Sequence, residues 1–322
     1  MALEVVEAGG LATVQDLGRW NWMAYGVPRS GPMDGFARGA ANLLAGNPPE
    51  AAALEIGMGD IALRAAEDCL IAVAGAGFQL SVYIWDLPLW GSIFVRRGWT
   101  IRLTKTGGGT WAYVAVCGGL QIEPVLGSRA TYLRGGMGGL AGRRLQPGDL
   151  LPTDPQARAA ERLAGRALAA QARPAYGESV TVEVIPGPQA DRFTRNSMET
   201  FLSSEYGVTL ASDRMGYRLE GPQLILNGSP DLLSEGMAVG AIQVPAGGQP
   251  IVMMADSPTT GGYPKIASVV SADLPLAAQC PPGSGSIRFR ETTVEAAHRR
   301  YRAQMEGLKS AIVESEEPGP WG

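Results

Sequence analysis

The chain has 322 residues, a formal net charge of -4, 45% hydrophobic and 18% charged residues, a globular balance that excludes disorder and collagen-like repeats. A single hydrophobic core rarely grows past about 250–300 residues, so the length suggests two domains. The acidic balance and the lack of a basic stripe argue against nucleic acid as the main partner, and the most apolar stretch, Cys69 to Trp90, is broken by Gly75, Gly77, Gln79, Asp86 and Pro88, which argues against a membrane span.

The start, MALEVVEAGG, lacks a basic segment followed by an apolar one, so the chain is expected in the cytoplasm. Asp34 stands as a cap before a helix at Phe36 to Leu44. Short apolar runs bounded by Gly, Pro, Asn and Asp then predict strands at Cys69 to Ala74, Leu80 to Trp85, Ser92 to Val95, Thr100 to Leu103 and Trp111 to Val116. From Thr153 to Tyr176 the composition turns to Ala, Arg and Gln, which predicts a solvated helical linker. Further strands are expected at Val180 to Ile185, Ala238 to Val244, Ile251 to Met254 and Ile266 to Val270, with a helix at Phe193 to Tyr206. The spacing of Val294, Ala297, Tyr301 and Met305 predicts a tail helix within Thr293 to Glu317, with a fraying EEPGPWG end. The fold class is therefore mostly β with few short helices, divided as 1–152, a linker 153–176, a second domain 177–290 and a tail 291–322.

Several chemistries are excluded by what is missing. No P-loop pattern occurs, and there are three lysines in all: Lys105, Lys265 and Lys309. None lies in an A-M-K-M context, so no biotin is attached to this chain. One histidine, His298, in the predicted tail helix, rules against Ser-His or Cys-His catalysis, and the dispersed Cys69, Cys117 and Cys280 give no metal-ligand spacing.

Three polar clusters remain. Thr13 to Arg19, with Gln15, Asp16 and Arg19, continues through Gly26 to Asp34 and reads either as a substrate-positioning loop or as an internally bonded turn. Ser212 to Arg218, with Asp213, Arg214 and Tyr217, reads either as a hydrogen-bonded corner or as an arginine fork for a carboxylate or phosphate. The third runs from Asp256 through Thr259, Thr260, Gly261, Gly262 and Tyr263 to Lys265. Its hydroxyls, glycines and lysine could form a nest for an anion, with a structural loop as the alternative.

These clusters also carry a resemblance. TVQDLGR, GVPRSGPMD, ANLLAGN, ALEIGMG, VCGGL, LGSRATY, GRRLQPGD, IPGPQ, SDRMGYRLEG, GAIQVPAGGQP and TTGGYPKIASVVSADLP follow in order and resemble the biotin-dependent carboxyltransferase subdomain family, also called allophanate hydrolase subunit two. Within it they are most similar to the C subunits of bacterial ATP-dependent 5-oxoprolinases. The resemblance implies two cyclophilin-like β-barrel domains, A and B partner subunits, and ATP with magnesium driving hydrolysis of 5-oxo-L-proline to L-glutamate. It carries Lys265, Arg214 and Asp213 forward as catalytic residues. Thr259, Thr260, Gly261, Gly262, Tyr263, Tyr217, Gln15, Asp16 and Arg19 become substrate- or nucleotide-binding residues. The family pattern has Gln before the paired threonines, where this chain has Pro258. Alternatives are a carboxyltransferase half of a urea carboxylase-like enzyme and a non-catalytic regulatory subunit.

Overall fold

The computed structural model describes residues 3–154 and 160–314. The chain separates into unit 1, Met1–Arg19, Ser30–Pro174 and Glu306–Gly322, and unit 2, Trp20–Arg29 and Ala175–Met305. The expected linear division is thus interleaved: a short excursion after Arg19 belongs to unit 2, and the chain passes back to unit 1 after Met305.

In chain order, unit 1 contains β1 (Leu3–Ala8), β2 (Leu11–Gln15), α1 (Gly35–Leu44), β3 (Ala53–Gly57), β4 (Ile61–Ala65), β5 (Cys69–Gly75), β6 (Phe78–Val82), β7 (Trp85–Leu87), β8 (Gly91–Val95), β9 (Thr100–Lys105), β10 (Trp111–Val116), β11 (Leu150–Leu151) and β12 (Arg166–Leu168). One sheet has the order β11-β1-β4-β9-β6-β7. The other begins β2-β3-β10-β5-β8-β12 and ends on a C-terminal strand. Alternate residues of both sheets, among them Val5, Leu63 and Leu103 from one and Ile56, Val73 and Val114 from the other, fill one core. β5 and β10 are buried along their whole length because α1 packs on them, which is why their sequences read as unbroken apolar runs.

The expected cap of α1 is present: Asp34 accepts from Ala37 N–H at 2.8 Å. Beneath α1, Tyr113 donates to Glu55 at 2.7 Å and accepts from Asp34 N–H at 2.8 Å, so the loop entering the helix is tied to two strands. Burial holds the Tyr113 hydroxyl well above its ordinary pKa. The expected strand Leu80 to Trp85 is instead a hairpin, with Val82 opposite Trp85 and Tyr83 at φ 56°. Tyr83 stacks on Trp99 at 5.3 Å, a contact that offsets the cost of its left-handed backbone.

Most of the expected linker lies in the described residues from 160 onward, where short 3-10 turns and the strand β12 take the place of the continuous helix expected. Ser92 Oγ accepts from Arg166 N–H at 3.0 Å, and β12 pairs with β8 and with the C-terminal strand. A free sheet edge gave these residues backbone partners that outweigh their helix propensity.

Unit 2 contains β13 (Ser179–Pro186), α2 (Arg195–Ser203), β14 (Glu205–Val208), β15 (Gly216–Glu220), β16 (Glu235–Gly236), β17 (Ala241–Gln243), β18 (Ile251–Met253), β19 (Thr260–Gly261), β20 (Lys265–Val269), α3 (Leu274–Gln279) and β21 (Ser286–Glu291). The strands β13-β20-β17-β18-β15-β14-β21 close into a barrel, with β13 and β21 parallel. The mostly β reading holds, and the barrel expected of the second domain is present. The helix expected to reach Tyr206 stops at Ser203, because Glu205 to Val208 are drawn into the barrel between β15 and β21. Thr194 caps its start by accepting from Ser197 N–H at 3.1 Å, and Phe201 stacks on Phe289 at 4.5 Å.

The tail helix is α4 (Val294–Ser310), followed by β22 (Ile312–Glu314), which pairs with β12. Of its expected apolar stripe only Ala297 is buried, against Val270 and Ala272, whereas Val294, Tyr301 and Met305 are exposed. An ion pair compensates: Arg300 reaches the buried Asp273 at 2.9 Å and Glu183 at 3.0 Å. The expected frayed end, residues 316–322, lies outside the described residues.

Candidate functional site

The site is built on the shortest sheet of unit 2. β16 pairs with β19, placing Glu235 opposite Gly261 and Gly236 opposite Thr260. Met237 N–H extends the ladder to the Thr259 carbonyl at 2.9 Å. Gly261 lets the tips of two side chains come close: a Cβ would lie 2.4 Å from Met237 Cε and 2.5 Å from Gln243 Nε2, so both would have to shift. Beside this sheet opens a cavity of about 640 Å³, within the size range of small-molecule sites. Thr259 and Thr260 line it with Gly236, Met237 and Ala238, and the 3-10 turn Met23–Tyr25 contributes Met23 and Ala24, followed by Gly26. Gly26 adopts φ 79°, which lets the chain double back at the cavity edge. The lining thus mixes apolar and polar surface, with Thr259 and Thr260 contributing its polar side chains.

The other predicted residues of the third cluster surround the cavity without lining it. Tyr263 is 41% exposed, and its carbonyl accepts from Gln243 Nε2 at 3.3 Å. Lys265 is buried, its backbone N–H donating to Gln189 Oε1 at 3.1 Å and its ammonium to Glu235 Oε1. Gln189 Nε2 donates to the same carboxylate oxygen at 2.7 Å. The Lys265 ammonium holds the Glu235 carboxyl below its ordinary pKa.

In the second cluster the named side chains bond to groups within the protein. Arg214 Nε and Nη2 meet Asp256 Oδ2 and Oδ1 at 2.8 and 3.0 Å, with both side chains buried. Asp213 accepts from Met215 N–H at 2.8 Å, and Tyr217 donates to the Ala278 carbonyl at 2.6 Å. The first cluster is split: Gly26 belongs to unit 2 and lines the cavity, whereas Thr13 to Arg19 lie in unit 1 and bond mostly within the protein. Gln15 Oε1 is left without a hydrogen-bond partner among the described residues. Gln15 donates to Thr13 Oγ1 and to the Thr131 carbonyl, both at 3.1 Å, and Arg19 donates to the Ala130 carbonyl. Asp16 accepts from Gly18 N–H at 2.8 Å, Ser128 Oγ at 2.6 Å and Arg129 N–H at 2.5 Å.

The cavity does not fit a nucleotide triphosphate with its magnesium. Among the described residues its lining carries no charged side chain, and no group of three or more His, Cys, Asp or Glu is placed to hold a metal ion. No chemical step at this site is therefore assigned to ATP.

Sequence reading missed Met23, Ala24, Gly236, Met237, Ala238, Glu235 and Gln189. Gln189 ends the IPGPQ motif, which was a usable signal, while Glu235 to Met237 sit just before the expected strand at Ala238, in a stretch without periodicity or motif.

The sequence model of the carboxyltransferase domain, subdomain A and B, matches residues 25–291. The chain belongs to this family. Among carboxyltransferase-domain relatives, it is 37% identical over 308 residues to the C subunit of the Escherichia coli 5-oxoprolinase, covering 94% of this chain and 95% of that one. The C subunit of the Haemophilus influenzae 5-oxoprolinase is 33% identical over 300 residues, covering 93% and 94%. The crystal structure of the K. lactis urea amidolyase superposes with a TM-score of 0.89 at 28% identity over 98% of this chain, which spans only 21% of the amidolyase chain. No helix among the described residues is long and apolar enough to cross a membrane.

Proposed function

We propose that this chain is the C subunit of an ATP-dependent 5-oxoprolinase, hydrolysing 5-oxo-L-proline to L-glutamate in a complex with A- and B-type subunits. The observation that carries this reading is the end-to-end match to a protein named as the C subunit of 5-oxoprolinase, at 37% identity over 94% of this chain and 95% of the relative. The unit 2 cavity supports it. Its two threonine hydroxyls can donate to a lactam carbonyl and accept from a lactam N–H, while Met23 and Met237 cover the ring's apolar face. Thr259 and Thr260 are the proposed ring-binding residues, with Gly261, Gly262 and Tyr263 shaping their loop. Arg214, Asp213 and Tyr217 support the barrel behind it, and Gln15, Asp16 and Arg19 brace unit 1. Nucleotide phosphates need positive charge and N–H donors, so we assign them to another surface of the complex.

A second reading is carboxyl transfer to or from a ureido group. It draws on the likeness to the urea amidolyase across 98% of this chain. The deciding experiment is ATP-dependent glutamate release from 5-oxoproline by the chain co-purified with its A and B subunits, each omitted in turn. Activity that requires this chain is the expected result. A correctly assembled but inactive complex that instead transfers carboxyl groups from biotin to urea would overturn the reading.

A further inference from the structure

Gln189, Glu235 and Lys265 come from three separated segments of unit 2 and meet behind the cavity wall. A two-residue ladder such as β16 with β19 is too short to hold its own register. The residue that anchors it is Glu235, whose carboxylate oxygen takes hydrogen bonds from both the Lys265 ammonium and Gln189 Nε2. Gln189 is in turn aligned by the Lys265 backbone N–H, so one side chain bridges both partners. The turn that carries Gln189 comes close because residue 187 is glycine: a Cβ there would lie 2.1 Å from the Lys265 carbonyl oxygen. Immediately after Glu235 follow Gly236, Met237 and Ala238, the cavity wall facing Thr259 and Thr260. A buried ammonium such as that of Lys265 is strongly destabilising without a counter-charge, and Glu235 provides one while remaining 41% exposed on its own side chain.

We infer that the Glu235–Lys265 ion pair, braced by Gln189, is a positioning clamp that fixes the Gly236–Ala238 wall against Thr259 and Thr260. Lys265 then acts through Glu235 rather than on a substrate anion. The kinetic consequence rests on the cavity being the substrate site, whereas the structural consequence stands on these contacts alone.

Two measurements on the full chain test it. Amide hydrogen exchange is followed in peptides covering 235–240 and 259–263 for Glu235→Ala, Lys265→Met and the double variant. Glu235→Ala, which removes both the Lys265 and the Gln189 contact, should speed exchange there about tenfold. Lys265→Met should speed it by less, and the double should match Glu235→Ala, because the ion pair is lost already in either single. Unchanged exchange in Glu235→Ala, a half-exposed position that tolerates truncation, overturns the clamp. In the assembled complex with 5-oxoproline, kcat should fall in both singles, with the double no worse than Glu235→Ala and KM little changed, and the exchanged pair Glu235→Lys with Lys265→Glu should recover part of it. A raised KM in Lys265→Met alone would show instead that the lysine touches a substrate anion. Absence of glutamate release from the wild-type complex overturns the functional reading only, and the exchange pattern still decides the clamp.

Discussion

The loops Thr13 to Arg19 and Thr259 to Lys265 look alike as sequence, each mixing hydroxyl, amide and charge beside glycine, yet the structure uses them in opposite ways. In the first, Gln15 and Arg19 are fully buried and Asp16 nearly so, and their side chains bond backbone groups at Arg129 to Thr131. In the second, Thr260 is exposed and, with Thr259, faces a cavity. The first loop continues the edge strand β2 into an irregular segment beside backbone carbonyls that need donors; the second is held by a two-residue ladder and a single ion pair. Polar density in a glycine-rich loop therefore reports a demand for hydrogen bonds. Whether the protein or a ligand meets it depends on what backbone lies within reach.

This contrast can be broken by mutation. The largest loss of stability is expected from Asp256→Ala, which leaves Arg214 buried without its carboxylate and should cost about 3–5 kcal/mol in denaturant unfolding. Asp16→Ala removes three hydrogen bonds to a carboxylate and should cost about 2–3 kcal/mol, with turnover per folded complex retained. Thr260→Val should change stability by no more than about 0.5 kcal/mol while lowering turnover about tenfold, since it removes one hydroxyl at the cavity.

Acid sharpens the comparison. Because Lys265 lowers the folded pKa of Glu235, the stability this pair adds is present above the ordinary carboxylate range and is lost as pH falls through the lowered value. The unfolding free energies of wild type and Glu235→Gln should therefore converge below about pH 4. The smallest effect belongs to the exposed Arg195–Glu199 pair, where Arg195→Ala should cost less than about 0.5 kcal/mol.

Much of the fold was legible in the sequence. Trp111 to Val116 and the helix capped by Asp34 were found nearly to the residue, because long apolar runs and a cap signal act locally. What was not legible depended on distant partners. Arg166 to Leu168 became a strand only because the β8 edge stood open, and Glu205 left its helix because the barrel needed β14. At the candidate site, the paired threonines stood out by their glycines. Their opposite wall, Gly236 to Ala238, is ordinary in composition and becomes a wall only through pairing. Lys265 drew notice as a rare cation, but its counter-ion, Glu235, lies 30 residues away and could be found only in three dimensions.

The most direct test places Thr260→Val beside Gln15→Met in the assembled complex, measuring glutamate release and thermal melting on the same preparations. Thr260→Val is expected to lose turnover at an unchanged melting temperature, and Gln15→Met to melt earlier with turnover intact. Lost turnover in Gln15→Met together with full activity in Thr260→Val would contradict the placement of the site in unit 2.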